Sequence, residues 1–151
     1  GYRPDTWGGE DEARRGYSEA SDACQAVVGN DDECGLLAGP GETGENVAER
    51  LAERRPAGFV VYKMGEHGSV TFCRGQRFTT PIFAVEGLKP FGAGDAFMGG
   101  LLARILAADA LEDAVDFATA AAAIVVSRQG CAQAMHTTDD VQAFIAAHKG
   151  R

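Results

Sequence analysis

The sequence predicts an α/β protein in which helices cover both faces of a largely parallel sheet and a β-hairpin is appended. Three observations support this class. Helix-like and strand-like segments alternate along most of the chain. The apolar run Gly58–Lys63 is typical of a strand that is buried on both faces of a sheet. Alternating strands on either side of Arg74 and Gly75 provide the signal for the hairpin.

The elements of the first half are predicted in chain order. The charged segment Glu10–Ala20 favours a helix, and the apolar run Cys24–Val28 favours a strand. Asn30 then caps a helix whose first turn is acidic, and Thr43 begins a second helix that ends before Pro56.

The second half continues with short strands and ends with helices. After the two hairpin strands, one more strand is predicted at Ile82–Val85. The segment Ala96–Leu106 is apolar nearly all round, which predicts a buried helix. Two further helices, Leu111–Ser127 and Thr138–His148, are predicted to complete the chain.

Composition and charge exclude several classes of function. With 151 residues, of which 45% are hydrophobic, the chain is sized for one compact domain. A net charge of −8 disfavours non-specific attraction to nucleic acid or to an anionic membrane. No apolar run approaches the roughly 20 residues that span a bilayer, and no signal sequence opens the chain. We therefore expect a soluble, cytoplasmic protein.

The metal-ligating side chains are scattered along the sequence. The four cysteines form no CxxC pair, so we expect reduced thiols rather than a zinc cage or a disulfide framework; they are Cys24, Cys34, Cys73 and Cys131. The three histidines lack the spacing of a metal site. The sequence therefore gives little support to a metal held by imidazole or thiolate groups.

The segment Gly92-Ala93-Gly94-Asp95 precedes an apolar helix and carries the most chemical information. The first backbone N–H groups of a helix have no partner within the helix and carry partial positive charge. Small residues leave these groups open to a phosphate, without any basic side chain. A glycine turn in which Asp95 merely stabilises the helix dipole explains the same residues.

Two further motifs follow predicted strands. Lys63-Met-Gly65-Glu-His-Gly68 is a glycine loop that suits the phosphates of a nucleotide, although a hairpin turn explains its glycines equally well. Asn30-Asp-Asp-Glu33 offers oxygen ligands for Mg²⁺, although an acidic helix cap explains them as well. All three motifs are expected at the carboxyl ends of strands, where open α/β sheets bind ligands.

These motifs resemble the C-terminal half of ribokinase-like (PfkB) carbohydrate kinases, whose fold is a three-layer α/β/α arrangement. The resemblance rests on four segments that occur in the family's order: Asn30-x-x-Glu33, Lys63-x-Gly-x-x-Gly68, Lys89–Leu102 and Ala120–Cys131. It covers all 151 residues, as the nucleotide-binding and catalytic portion of the domain. Within the family, the opening Tyr2-Arg3-Pro4-x-x-Trp7, the Lys89-Pro-Phe segment and residues 130–135 are most similar to 5-dehydro-2-deoxygluconokinases of myo-inositol catabolism.

The resemblance implies ATP-dependent phosphorylation of a sugar or sugar-acid hydroxyl. Asp95 would be the general base, and the backbone amides of Gly92, Ala93, Gly94 and Asp95 would form the anion hole. Asn30 and Glu33 would order Mg²⁺. The resemblance also implies two sets of binding residues: Lys63, Gly65, Gly68, Thr119, Ala122 and Gly130 for the nucleotide, and Arg3 and Lys89 for a substrate carboxylate.

The resemblance leaves three readings open. Members of the family are roughly twice this length, and their first half, with most sugar-binding residues and the lid, has no counterpart here. The parent could be another kinase of the family, acting on ribose, a fructose phosphate or 2-keto-3-deoxygluconate. The second possibility is a nucleotide-binding fragment without catalysis, and the third is a structural domain that does not bind ATP. ATP and a small sugar acid are the expected partners, and a homo-oligomer of the complete protein is left open.

Overall fold

The computed structural model describes residues 2–87, 91–128 and 136–148. The chain divides into two compact units, Gly1–Thr79 and Thr80–Arg151. In the first unit the elements are α1 (Glu10–Ala23), β1 (Ala26–Asn30), α2 (Asp31–Leu36), α3 (Gly44–Glu53), β2 (Phe59–Lys63), β3 (Ser69–Cys73) and β4 (Gln76–Thr80). The second unit contains α4 (Ala93–Leu106), α5 (Leu111–Ser127) and α6 (Thr138–Ala147). Within these described ranges no helix is long and apolar enough to cross a bilayer.

The strands form one mixed sheet in the order β1-β2-β3-β4. β1 and β2 pair in parallel, whereas β2 and β3 pair antiparallel. The predicted α/β class and hairpin are confirmed. The sheet was predicted to be largely parallel, but among the described strands only β1 and β2 pair in parallel. The reason is the short connection from β2 to β3, residues 64–68, because a parallel pairing needs a crossover of a dozen or more residues.

The core of the first unit lies between α3 and one face of the sheet. Val60 and Tyr62 of β2 pack with Val70 and Phe72 of β3 against three buried residues of α3, namely Val47, Ala48 and Leu51. Val61, which points away from this cluster, is also fully buried. The prediction that the apolar run of β2 is buried on both faces is therefore confirmed.

Short polar segments determine where three of the helices begin. Asn30, Thr43 and Thr137 each accept a hydrogen bond from the backbone N–H three residues later, and the side chain at that later position accepts one in return. Each such capping box satisfies two backbone donors that would otherwise have no partner. The predicted starts at Asn30 and Thr43 are therefore confirmed. The sequence could predict them because a capping box joins residues that are close in sequence.

The second unit is built on the close packing of α4 against α5. A Cβ placed at Gly100 would lie 3.2 Å from the Cα of Ala118 and 3.2 Å from the Cβ of Ala121. Both alanines are fully buried. At the end of α4, Arg104 lies over the ring of Phe117 at 5.2 Å from its centroid. The backbones of α4 and α5 therefore approach each other closely at Gly100.

The predicted strand at Ile82–Val85 is wrong. Residues 81–87 have no regular secondary structure, although Phe83 is buried against residues of α5 and α6. The apolar run at residues 82–85 is real, but a strand also requires a neighbouring strand with which to share backbone hydrogen bonds. That requirement is not local, so the sequence pattern alone cannot reveal whether it is met.

The prediction that the helix after Gly92 is buried nearly all round is also wrong for this chain. Within α4 only Phe97 and Leu101 are buried, and Leu102 and Leu106 are 51% and 86% exposed. The helix also begins at Ala93 rather than at Ala96. An apolar pattern indicates which surfaces are able to be buried, but the tertiary structure decides which of them have a neighbour.

The adjacent glycines of α4 provide a matched test of this packing. We expect Gly100→Ala to lower the melting temperature, because crowding the backbone of α5 costs about 1–3 kcal/mol and outweighs a gain in helix propensity of about 1 kcal/mol. We expect Gly99→Ala to raise it, since among the described residues a Cβ at that position meets no atom within 4 Å apart from the adjoining residues and the backbone of α4 itself. Thermal unfolding followed by circular dichroism measures both, and equal shifts for the two variants would contradict the packing described here.

Candidate active site

Two of the predicted site residues end neighbouring parallel strands. Asn30 is the last residue of β1 and Lys63 the last of β2, and the register places them opposite each other. Because parallel strands point the same way, the side chains that follow both strands collect at one edge of the sheet. The structure therefore brings together Asn30, Glu33, Lys63 and the loop that follows Lys63.

The Asn30–Glu33 motif forms a capping box. The Glu33 N–H donates to Oδ1 of Asn30 at 3.0 Å, and the Asn30 N–H donates to Oε2 of Glu33 at 2.9 Å. The interpretation of this motif as a helix cap is thus correct, whereas its role in binding Mg²⁺ stays a prediction. Within the described ranges, this motif included, no group of three or more His, Cys, Asp or Glu side chains is placed to hold a metal ion. An Mg²⁺ ion fits Asn30 and Glu33 only if water and phosphate oxygens supply the remaining ligands, which is its usual coordination.

Tyr62 connects this edge of the sheet to the start of α2 by a hydrogen bond. No pattern in the sequence predicts this contact. Its side chain is buried, and its hydroxyl donates a hydrogen bond to the carboxylate of Asp31, the first residue of α2. Burial, followed by the hydrogen bond to Asp31, raises the pKa of Tyr62. A Cβ at Gly44 would come within 2.6 Å of the hydroxyl, so the glycine makes room for it.

The glycine loop after β2 is a tight turn. Gly65 and Gly68 both have positive φ angles, +57° and +83°, which glycine adopts at little cost. The Met64 N–H donates to the carbonyl of Gly68 at 2.8 Å and closes the turn into β3. The geometry accounts for both glycines as turn residues, and their contact with phosphate stays a prediction.

The start of α4 presents backbone donors without a side-chain cap. Gly92, in the left-handed region at φ +85°, precedes the helix, and its carbonyl accepts the first helical hydrogen bond from the Ala96 N–H at 2.9 Å. The N–H groups of Ala93, Gly94 and Asp95 therefore precede the helical ladder. Asp95 lies in the first turn and is exposed. This geometry suits an anion at the helix terminus, next to a carboxylate.

The predicted adenine residues share one face of α5. Thr119 and Ala122 are both half-buried, as expected for a partly open face, and they are three residues apart. The Thr119 hydroxyl donates to the carbonyl of Val115 at 2.8 Å within the helix. Gly130 and Lys89, the other two predicted contacts, lie outside the described residues.

The opening segment packs on α1. The rings of Tyr2 and Trp7 both contact Tyr17, with centroids 6.3 and 5.8 Å away. Burial, followed by the charges of Glu33 and Tyr2, raises the pKa of Tyr17. Arg3 is exposed and extended within this segment. The aromatic residues thus anchor the backbone that carries Arg3.

Comparisons with known proteins show which family of proteins the chain belongs to. Residues 1–138 match the model of the pfkB family of carbohydrate kinases, and the chain belongs to this family. In fold, it is similar to a ribokinase from Thermotoga maritima, with a TM-score of 0.77 at 28% identity over 85% of this chain and 44% of that one. A putative ribokinase II from E. coli, solved in complex with ATP and Mg²⁺, gives a TM-score of 0.79 at 25% identity over 89% and 43% of the two chains.

A curated relative of the chain is named for one particular activity within the family. The 5-dehydro-2-deoxygluconokinase of Photobacterium profundum is 37% identical over 148 residues, which is 95% of this chain and 45% of that protein. The predicted family, the ribokinase-like fold and the similarity to 5-dehydro-2-deoxygluconokinases are confirmed. The chain spans less than half the length of the curated relative.

Cys34, a residue of α2, is buried in the core of the first unit, and its reactivity tests the packing there. Burial, followed by the negative charges of Glu33 and Asp31, raises the pKa of its thiol to about 12. At pH 8 the thiol is therefore protonated, and we expect iodoacetamide to modify the exposed Cys24 well before Cys34. Peptide mass spectrometry measures the two rates, and the difference should disappear in guanidinium. Equal rates in the native protein would contradict the described burial.

Proposed function

We propose that the chain is the nucleotide-binding and catalytic portion of a kinase that transfers a phosphoryl group from ATP to the terminal hydroxyl of a sugar acid. The substrate we favour is 5-dehydro-2-deoxygluconate, of myo-inositol catabolism in the cytoplasm, because the relative from Photobacterium profundum bears that activity in its name. The observation that carries the proposal is the start of α4, where Gly92 at the capping position offers no side chain to the amides of the first turn, and where Asp95 lies in that turn.

Phosphoryl transfer needs positioning and charge stabilisation more than covalent chemistry from the protein. In this proposal the amides of Gly92, Ala93, Gly94 and Asp95 stabilise the negative charge that develops on the transferred group. Asp95 accepts the proton of the attacking hydroxyl as the general base. Its exposure and its place in the first turn of α4 leave the carboxylate accessible to such a substrate.

Nucleotide and metal binding are assigned to the sheet edge and to α5. Asn30 and Glu33 would hold Mg²⁺ through water, and the ion would supply charge neutralisation at the phosphates. The side chain of Lys63, opposite Asn30, would add positive charge there. We assign the phosphates to Gly65 and Gly68 as well, and the adenine to Thr119, Ala122 and Gly130.

The carboxylate of the sugar acid is assigned to Arg3 and Lys89. Arginine suits a carboxylate because its guanidinium donates two parallel hydrogen bonds, and the extended backbone at Arg3 leaves the side chain exposed. A kinase for ribose or fructose would not need this positive charge. A substrate panel that shows equal turnover of neutral sugars would favour that alternative.

A fragment that binds nucleotide without catalysis is the second candidate. One specific observation favours it, since the chain spans only 45% of the length of the relative from Photobacterium profundum. Binding of Mg·ATP without phosphoryl transfer, by a chain shown to be folded, would distinguish this function from that of a complete kinase.

Calorimetric titration of the folded chain with Mg·ATP tests the anion hole. We expect Gly94→Val to abolish saturable binding, because its side chain would cover the amides at the start of α4. Gly99→Val is the matched control, since it places the same side chain on the same helix more than one turn away. Equal binding by the two variants would contradict the role of the amides. A folded chain that binds no Mg·ATP would favour a structural domain.

Turnover tests the general base. The assay uses a chimera in which this chain replaces the 148 matching residues of the relative from Photobacterium profundum. We expect Asp95→Asn to lower kcat by about 10²–10⁴-fold, the usual contribution of a general base, and to leave the Kd for Mg·ATP nearly unchanged. A kcat within about tenfold of the unsubstituted chimera would show that Asp95 is not the base.

A further inference from the structure

We propose that Tyr62 is a positioning residue for Asn30 and Glu33, the two side chains assigned to Mg²⁺. Its hydroxyl, through Asp31, holds the first turn of α2 at a fixed place beside the end of β2. The inference rests on the proposed function, because it concerns the metal that this function assigns to Asn30 and Glu33. It goes further by naming a residue that determines how well the metal binds without being one of its ligands.

The helix α2 is too short to hold its own position. It has six residues, Asp31–Leu36, whereas isolated helices shorter than about 12–15 residues are marginal in water. Gly35 lowers its helix propensity further. Cys34 and Leu36 are buried and anchor the later part of the helix. The first turn begins with an exposed residue, Asp31, and the contact that holds this residue comes from β2.

Tyr62 is that contact. Its side chain is 6% exposed and packs in the core of the first unit, and its hydroxyl donates a hydrogen bond to the carboxylate of Asp31. Gly44, the first residue of α3, makes room for the ring. A Cβ there would lie 2.6 Å from the hydroxyl oxygen and 2.8 Å from two ring carbons. Because the ring is closely packed, its hydroxyl is a donor at a fixed point.

This hydrogen bond connects the proposed metal ligands to the proposed phosphate contact. The capping box joins Asn30 to Glu33, so the Glu33 side chain follows the first turn of α2. Lys63, which is assigned to the phosphates, directly follows Tyr62 in β2. Mg²⁺ requires nearly ideal octahedral geometry, whereas Ca²⁺ accepts flexible coordination. A first turn that shifts relative to β2 would therefore weaken the binding of Mg²⁺ more than that of Ca²⁺.

A direct bond from Asp31 to the metal is the alternative. The carboxylate of Asp31 already accepts the hydrogen bond from Tyr62. In the part of the chain that the structure describes, the acidic residues of α2 do not form a group of three placed to hold a metal ion. The geometry therefore favours the positioning role. Asp31→Asn distinguishes the two roles, because an amide oxygen still accepts the hydrogen bond but lacks the negative charge of a carboxylate ligand.

Hydrogen exchange tests the support of α2 without any nucleotide. The Glu33 N–H belongs to the capping box of α2, and the Asp140 N–H belongs to that of α6. We expect Tyr62→Phe to accelerate exchange of the Glu33 amide about tenfold, because the first turn opens more easily, and to leave the Asp140 amide unchanged. Thr71→Val is the matched control. It removes a buried hydroxyl from the neighbouring strand β3 that has no hydrogen-bond partner among the described residues.

Calorimetric titration of the folded chain with ATP tests the effect on the metal. The Kd for ATP is measured with Mg²⁺, with Ca²⁺ and with EDTA. We expect Tyr62→Phe to weaken binding of Mg·ATP about 10–100-fold, the usual effect of losing a residue that orients a metal ligand. The variant should weaken binding of Ca·ATP less and leave the Kd for metal-free ATP unchanged. A merely structural role for Tyr62 would change all three Kd values alike.

Three further variants complete the titration. Asp31→Ala should reproduce the effect of Tyr62→Phe, because it removes the acceptor of the same hydrogen bond. Asp31→Asn and Thr71→Val should both retain the affinity of the unsubstituted chain for Mg·ATP. Loss of this affinity in Asp31→Asn but not in Tyr62→Phe would overturn the proposal and make Asp31 a direct ligand.

Two other results would also overturn the proposal. One is an unchanged exchange rate of the Glu33 amide in Tyr62→Phe, and the other is an unchanged preference of that variant for Mg·ATP over Ca·ATP. In both cases, binding of Mg·ATP by the unsubstituted chain leaves the proposed function intact. Failure of the proposed function is visible separately, as an unsubstituted chain whose binding of ATP is absent or does not depend on Mg²⁺. That outcome overturns the positioning role as well.

Discussion

The parallel pairing of β1 with β2 is the constraint on which the candidate site of the first unit depends. It aligns the ends of the two strands, so that Asn30 and Lys63 become neighbours although 32 intervening residues separate them in the sequence. The helix α2 begins directly after Asn30, and the glycine loop begins directly after Lys63. A slip of one residue in this register would turn Val60 and Tyr62 out of the core. The buried side chains of the sheet therefore hold the polar edge in place.

The helix termini divide into two kinds with different chemical consequences. At α2, α3 and α6, capping boxes satisfy backbone donors with the chain's own side chains. At α4 the capping position is Gly92, which has no side chain with which to satisfy these donors, and this arrangement suits an outside anion. The capping box at Asn30 also limits the proposed metal site, because one oxygen of Asn30 and one of Glu33 already accept hydrogen bonds from the backbone.

In the second unit, small residues determine how closely two helices approach. Gly100 and the buried alanines of α5 allow the backbones of α4 and α5 to come into direct contact. Tight packing of this kind resists added volume, since the interior of a protein has few voids to absorb it. The contact fixes one face of α4 and leaves the opposite face, which begins with Asp95, directed away from α5. Gly99 and Gly100 are the same residue type in the same helix, but only Gly100 lies against α5.

Local interactions are what the sequence determined by itself. The capping boxes at Asn30 and Thr43 join residues three positions apart, and the turn at Arg74 and Gly75 is formed by adjacent residues, so these features were predictable. The motifs Asn30-x-x-Glu33 and Lys63-x-Gly-x-x-Gly68 were also visible in the sequence, as was the glycine-rich start of α4.

Only the tertiary structure decided the features that depend on distant neighbours. The hydrogen bond from Tyr62 to Asp31 joins residues far apart in sequence, and the segment 82–85 is irregular although its short apolar run is typical of a strand. The exposure of Leu102 and Leu106 likewise depends on what packs against α4. The physical reason is the same in each case: a cap or a turn is satisfied by nearby residues, whereas burial and strand pairing require a partner that the local sequence does not specify.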